Sequence, residues 1–169
     1  MTQTLETKRL ILRRPKAADM QPTVDFFMSD RAVGVGGPYT IGQAWRHFGY
    51  ELGHWEIHGF GMWAVTLKGD DTILGLVGPW FPADWPEREI GWMMFEQAEG
   101  KGIAYEAAIT AIDHARTELG WTNFVSYIDE NITRSIALAK RLGARLDTTA
   151  TCPESHKSLV YRHPIAKAA

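Results

Sequence analysis

The chain has 169 residues, a hydrophobic share of 45% and a formal net charge of -2, enough to bury one sizeable core and too little for two ordinary domains. Its scattered basic residues exclude the dense cationic surface that grips nucleic acid, and the lone Cys152 excludes both an internal disulfide and a structural zinc site. No run is long and apolar enough to span a bilayer, and residues 1–14 lack the apolar centre of a secretory leader, so the chain reads as a cytoplasmic protein, a single domain over 1–169, with no membrane partner.

Lys8 to Arg13 alternates as an opening strand, and Pro15, Ala17, Ala18 and Asp19 form a helix entry leading to Phe26, Phe27 and Met28. Gly34 to Pro38 breaks that helix. From Thr40 to His58 the residues Trp45, Phe48, Leu52 and Trp55 recur at spacings of three and four, which predicts a second helix burying that stripe. His47, Glu51, His54 and His58 fall on a neighbouring face, read as solvated or as touching substrate; the spacing of His54 and His58 alone does not make a metal site. Three strands follow, over 62–67, 72–77 and 89–95, the first two joined by the turn Lys68-Gly69-Asp70-Asp71. The turn Glu99 to Gly102 then opens an alanine-rich helix running to about Leu119 and stopped by Gly120; a strand over 123–128, a helix from about Ile132 to Leu142 capped by Gly143 and two strands over 145–149 and 158–162 complete the order.

The chemistry concentrates in Glu89 to Ala108, where a strand runs into a glycine turn and the turn into a helix. Such a turn presents backbone N–H groups at the positive end of a helix, and the missing Cβ atoms of Gly100 and Gly102 let a phosphate approach the main chain. No Gly-Lys-Ser/Thr follows, and Tyr105 stands where the dinucleotide fingerprint needs its third glycine.

The segment resembles the cofactor-binding core of the GNAT superfamily of N-acetyltransferases, and within it the RimJ/RimL-like branch. Gly100-Lys101-Gly102-Ile103-Ala104-Tyr105-Glu106-Ala107 is similar to that branch's Gly-Lys-Gly-x-Ala-x-Glu-Ala, with Glu99 where Gln, Arg or Trp is usual; the alternative register starts at Gln97. A second match, Asp129 to Ala144, resembles the branch's Asn-x-x-Ser helix ending in Lys/Arg-Leu-Gly, although Asn131 lies four rather than three residues before Ser135. The resemblance implies an α/β (α+β) fold, a mixed, mostly antiparallel, twisted sheet of about seven strands flanked by four helices. It also implies acetyl-CoA as cosubstrate, no metal, and an amine acceptor, either a protein N-terminus or a small molecule, in a monomer or homodimer.

By the same resemblance, Met93, Met94, Phe95 and Glu96 lie along the pantetheine, the N–H of Met94 faces the thioester oxygen, and Lys101, Gly102, Ile103 and Ala104 with Asn131 and Ser135 hold the cofactor. The superfamily's frequent tyrosine acid is missing, its place taken by Ala139; by resemblance to the branch, whose usual serine it matches, Ser135 is the hydroxyl nearest the expected sulfur and protonates the departing thiolate. The base that accepts the amine proton is Glu154, counted from Ser135, or Glu89 on the central strand. A noncatalytic acyl-CoA-binding module and a generic phosphate-binding domain are the rival readings.

Overall fold

The computed structural model describes residues 4–165. One sheet runs through it in the order β1-β2-β3-β4-β5-β6-β8-β7, with β1 at Leu5–Glu6, β2 at Leu10–Arg13, β3 at Trp63–Leu67, β4 at Asp70–Trp80, β5 at Glu89–Met94, β6 at Val125–Ile128, β7 at Arg145–Leu146 and β8 at Leu159–Arg162. Four α-helices accompany it: α1 (Met20–Met28), α2 (Ile41–His58), α3 (Ile103–Thr117) and α4 (Thr133–Arg141). The eighth strand, beyond the seven expected, is the two-residue β1, which folds back on β2 in the register Leu5↔Leu12. All pairings are antiparallel except that of β5 with β6.

The two faces of the sheet carry different helices because side chains alternate along each strand. Leu10, Leu12, Val65 and Val77 pack with Ala107, Ala108 and Ala111 of α3, whose small residues let the helix lie close to the strands. On the other face Ala64, Leu76 and Met93 pack with Val24, Phe26 and Phe27 of α1 and Ala44 of α2. Arg13 secures the start of α1 through two bonds to the buried Asp19, at 2.7 and 2.8 Å.

Helix α2 begins and ends where its sequence dictates. Thr40 and Gln43 form a reciprocal capping box and Gly59 closes the helix in the left-handed conformation. Its buried stripe, however, is Ala44, Phe48, Glu51, His54 and Trp55, while Trp45 is 58% exposed. The expected stripe is therefore rotated: Phe48 and Trp55 turn inward as expected, Ala44 takes the place of Trp45, and of the face read as solvated or touching substrate Glu51 and His54 are buried while His58 stays exposed. His54 is locked there: its Nε2 accepts from the Phe81 N–H at 3.0 Å, leaving Nδ1 to donate to the Phe60 carbonyl at 2.8 Å. With both nitrogens engaged and burial pushing its pKa down to about 4, it is a neutral brace.

The feature that creates a site is the divergence of β5 from β6. Their pairing is limited to Glu89↔Val125; beyond it, side chains span the gap. The Ser126 hydroxyl donates to the Ile90 carbonyl at 2.6 Å, and the Tyr127 N–H donates to Glu89 Oε1 at 3.2 Å.

Candidate active site

A cleft of about 1020 Å³ opens where the two strands separate, reaching from the start of α3 to the inner face of α2. Strand alternation sorts its walls. Trp92 and Met94 turn toward the α3 face, so Glu89 and Gly91 turn toward α1 and α2. The Phe95 N–H donates to the Leu74 carbonyl of β4 at 2.9 Å; by ladder alternation the N–H of Met94 points to the opposite edge, into the gap left by β6.

One end of the cleft is built for an anion. Gly102 precedes α3 at φ 71, a left-handed conformation, and a Cβ there would meet only Arg9 Nη2 at 3.7 Å, so the space over the turn is open. No side chain caps the helix start, which leaves the first-turn N–H groups directed at that space. Gly100, Gly102, Ile103 and Ala104 line it. Besides Arg9, which donates to the Lys101 carbonyl at 3.0 Å, three arginines stand around the turn: Arg31 and Arg134 both pair with Glu99, the latter at 2.7 Å, and Arg141 lies 3.9 Å over the Tyr105 ring. Arg134 and Arg31 together hold the Glu99 carboxyl below its ordinary range. Gln97, the start of the alternative register, instead donates to the Ile73 carbonyl at 3.2 Å, which favours the register through Glu99. These groups fit a polyphosphate cofactor.

The other end is acidic and aromatic. Glu89 is buried, accepting from Trp85 Nε1 at 2.6 Å as well as from Tyr127. Burial pushes its pKa up to about 7, against the lowering effect of these two bonds. Glu51 faces the same space from α2, 4% exposed, with its Oε2 lacking any hydrogen-bond partner among the described residues. Burial, and secondarily the charge of Glu89, push its pKa up to about 8. Tyr39, Tyr50, Trp80 and Trp85 wall this end.

The residues expected from sequence divide. Glu89, Met93, Met94, Gly102, Ile103, Ala104 and Ser135 all line the cleft. The Ser135 oxygen accepts from Trp92 Nε1 at 3.2 Å, which fixes the hydroxyl while leaving its own proton free to donate. Phe95 is buried in the core against Phe26, and Glu96 is exposed because the strand ends at Met94 and a short 3-10 turn begins. Lys101 is exposed, its ammonium bonded to the Gln97 carbonyl at 2.8 Å. Asn131 turns back onto Asp129, donating to its Oδ1 from both the backbone and the side chain at 2.8 and 3.0 Å. Glu154 is exposed and outside the cleft, while its neighbours Ser155 and His156 border it. Sequence reasoning missed the burial of Glu51; the signal was the spacing Ala44, Phe48, Glu51, Trp55, which continues one apolar stripe through a carboxylate.

A second serine in the cleft pairs with a histidine but is not an activated nucleophile. Because Ser126 spends its proton on the Ile90 carbonyl, His163 Nε2 donates to the serine oxygen at 2.9 Å, the reverse of what a general base would do.

Comparison with known proteins identifies the family and the fold. The family model described as an acetyltransferase (GNAT) domain matches residues 9–145. A crystal structure of an acetyltransferase from Agrobacterium tumefaciens str. C58 is 36% identical, with a TM-score of 0.90 over 96% of this chain and 95% of that one. A GNAT-family protein from Bordetella pertussis is 24% identical, with a TM-score of 0.76 over 95% of this chain and 99% of that one. The fold is also that of RimL, a ribosomal L7/L12 alpha-N-protein acetyltransferase solved in complex with coenzyme A, at 17% identity and a TM-score of 0.73 over 96% and 98% of the two chains. Matched over most of its length by the family model and over nearly all of it by the Agrobacterium structure, the chain belongs to the GNAT acetyltransferase family.

Proposed function

We propose that the protein transfers an acetyl group from acetyl-CoA to a primary amine, with Glu89 as the group that accepts the amine's proton. The observation that carries this reading is a buried carboxylate held near pKa 7 in the same cleft as the uncapped helix start. A base in that range is half ionised near neutral pH and strong enough to take a proton as an ammonium loses it. When bound, acetyl-CoA supplies the acetyl group as an activated thioester, whose C–S bond breaks as the amide C–N bond forms.

The chain's own groups cover the remaining needs. The first-turn N–H groups of α3 with Arg31, Arg134 and Arg141 hold the phosphates. The Met94 N–H, pointing into the strand gap, is placed to donate to the oxygen that gains charge. Ser135, held by Trp92, hands its proton to the departing sulfur and recovers it from solvent. Glu89 is preferred to Glu154 because it lies inside the cleft and its pKa is raised, whereas Glu154 is exposed.

Incubating the protein with acetyl-CoA and a panel of primary amines, and following free thiol, tests the reading. Thiol release that depends on the amine is expected. Binding of acetyl-CoA, seen as a raised melting temperature, with no thiol release from any amine would instead identify a noncatalytic acyl-CoA-binding module.

A further inference from the structure

Resting on the proposed amine acetylation, we infer that the acceptor is a small amine with a second cationic group, seated on Glu51 in the aromatic end of the cleft, and is not a polypeptide N-terminus.

Glu51 is the first support. It is buried, it faces the cleft, and its Oε2 has no partner among the described residues. An unmade hydrogen bond at a buried carboxyl is destabilising, and a ligand donor that reaches the carboxyl would complete it. Glu89 differs, because Trp85 and Tyr127 already satisfy both its oxygens. The two carboxyls are thus suited to two tasks, Glu89 to the reacting nitrogen and Glu51 to a group farther along the acceptor.

The charge of that group follows from the surroundings. The arginines that line the cleft, Arg31, Arg134 and Arg141, all stand at the cofactor end, the first two paired with Glu99 and the third stacked on Tyr105. At the acceptor end are the acids Glu51, Glu89 and Asp84, two histidines, His47 and His156, and a set of rings. Trp80 meets Tyr50 edge-on at 5.2 Å, and Tyr39 stacks on His47 at 4.2 Å. Ring faces and an unpartnered carboxyl favour an ammonium or guanidinium, and among the described residues no arginine or lysine lines the cleft at this end; Arg46 borders only the outer groove beside Tyr39, His47 and Tyr50.

Size follows from the roof. The segment from Asp30 to Tyr39, which joins α1 to α2, crosses the cleft: a Cβ on Gly34 would lie 3.1 Å from the Ile132 side chain at the start of α4, and one on Gly36 would lie 2.8 Å from His156. Ser155 donates to Asp84 at 3.2 Å on the same side. A polypeptide whose terminus reached Glu89 would have to thread past this segment. A compact amine fits beneath it.

The test compares putrescine and cadaverine with butylamine, and with a short peptide bearing a free N-terminus, as acceptors for the wild type and Glu51→Gln. The diamines should show a KM lower than that of butylamine by roughly 10- to 100-fold, the value of one hydrogen bond to a charged group. Glu51→Gln should erase most of that ratio, chiefly through KM rather than kcat. Glu51→Asp, which keeps the carboxyl on a shorter stem, should shift preference toward cadaverine, and it serves also if the Gln variant is unstable. A diamine-to-butylamine ratio that survives in both variants, or a peptide acetylated more efficiently than either diamine, overturns the inference. Thiol release from none of the amines, with acetyl-CoA still raising the melting temperature, overturns the amine acetylation itself.

Discussion

Ser135 and Glu51 illustrate how one hydrogen bond, made or missing, sets what a residue does. The Trp92 N–H occupies the acceptor side of Ser135, so its proton is directed elsewhere. Ser135→Ala should lower kcat by roughly 10²–10⁴-fold at most while leaving acetyl-CoA affinity close to the wild-type value. A loss of affinity with kcat unchanged would make Ser135 a binding residue. Glu51 and Glu89 have folded-state values near 8 and 7, against an ordinary 4.5. Below about pH 6.5 the buried His54 and His163, each lowered to about 4, offset the protons these carboxyls retain. Above it the carboxyls alone hold extra protons in the folded state, so stability falls as pH rises from about 6.5 to 8 and levels off above that. The melting temperature of the cofactor-free protein should show this decline, and Glu51→Gln should flatten it. Parallel curves for the two proteins would mean that Glu51 is ionised in the folded state.

Among elements, the glycine turn before α3 couples three parts of the chain. Glu99 draws together Arg31, which follows α1, and Arg134, in the first turn of α4. Its carboxylate competes with phosphate for both guanidinium groups. Glu99→Gln should therefore tighten acetyl-CoA binding several-fold and make it more sensitive to salt, because freed arginines near a polyanion are screened by ions. Unchanged affinity and salt dependence would show that the arginines do not reach the cofactor. Gly102 contributes in a second way. From sequence its role is steric access alone, so that Gly102→Val would leave the fold intact; its φ of 71 means that any side chain also strains the turn by about 1–2 kcal/mol. The variant should lose melting temperature without cofactor and lose affinity as well. Wild-type affinity in Gly102→Val would displace the cradle from this turn.

These elements also show what the sequence made legible. Periodicity, capping residues and glycine stops located all four helices and seven of the eight strands to within a few residues, since each is a local property of the chain. The two-residue β1 has too few positions to alternate. The orientation of α2 was misread for a different reason: Trp45 and Leu52 compete with Ala44 and Glu51 as the inward stripe. Tertiary packing against β4 and β5 decides between them, which local hydrophobicity does not. Counting along the chain placed Ser135 and Glu89 in the cleft yet drew Asn131 and Glu154 in with them. Helical and strand positions transfer by spacing, whereas the direction of a loop side chain does not.

At the scale of the molecule, the site exists because one sheet is not continuous along its whole length. The pairing of β5 with β6 ends at Glu89, and the strands part so that the cofactor end, walled by α3 and α4, opens into the acceptor end, walled by α1 and α2. The same residue that closes the paired segment is the buried carboxyl facing that opening, so the architecture puts the proposed base beside the gap. The most direct check of this account is the pH profile of amine-dependent thiol release from acetyl-CoA, measured for the wild type and for Glu89→Gln. The account predicts that kcat/KM of the wild type rises with pH through about 7, the value of Glu89, and that the variant is slower by roughly 10²–10⁴-fold with that rise removed. A Glu89→Gln protein that remains folded, turns over at the wild-type rate and keeps the same acidic limb would contradict it.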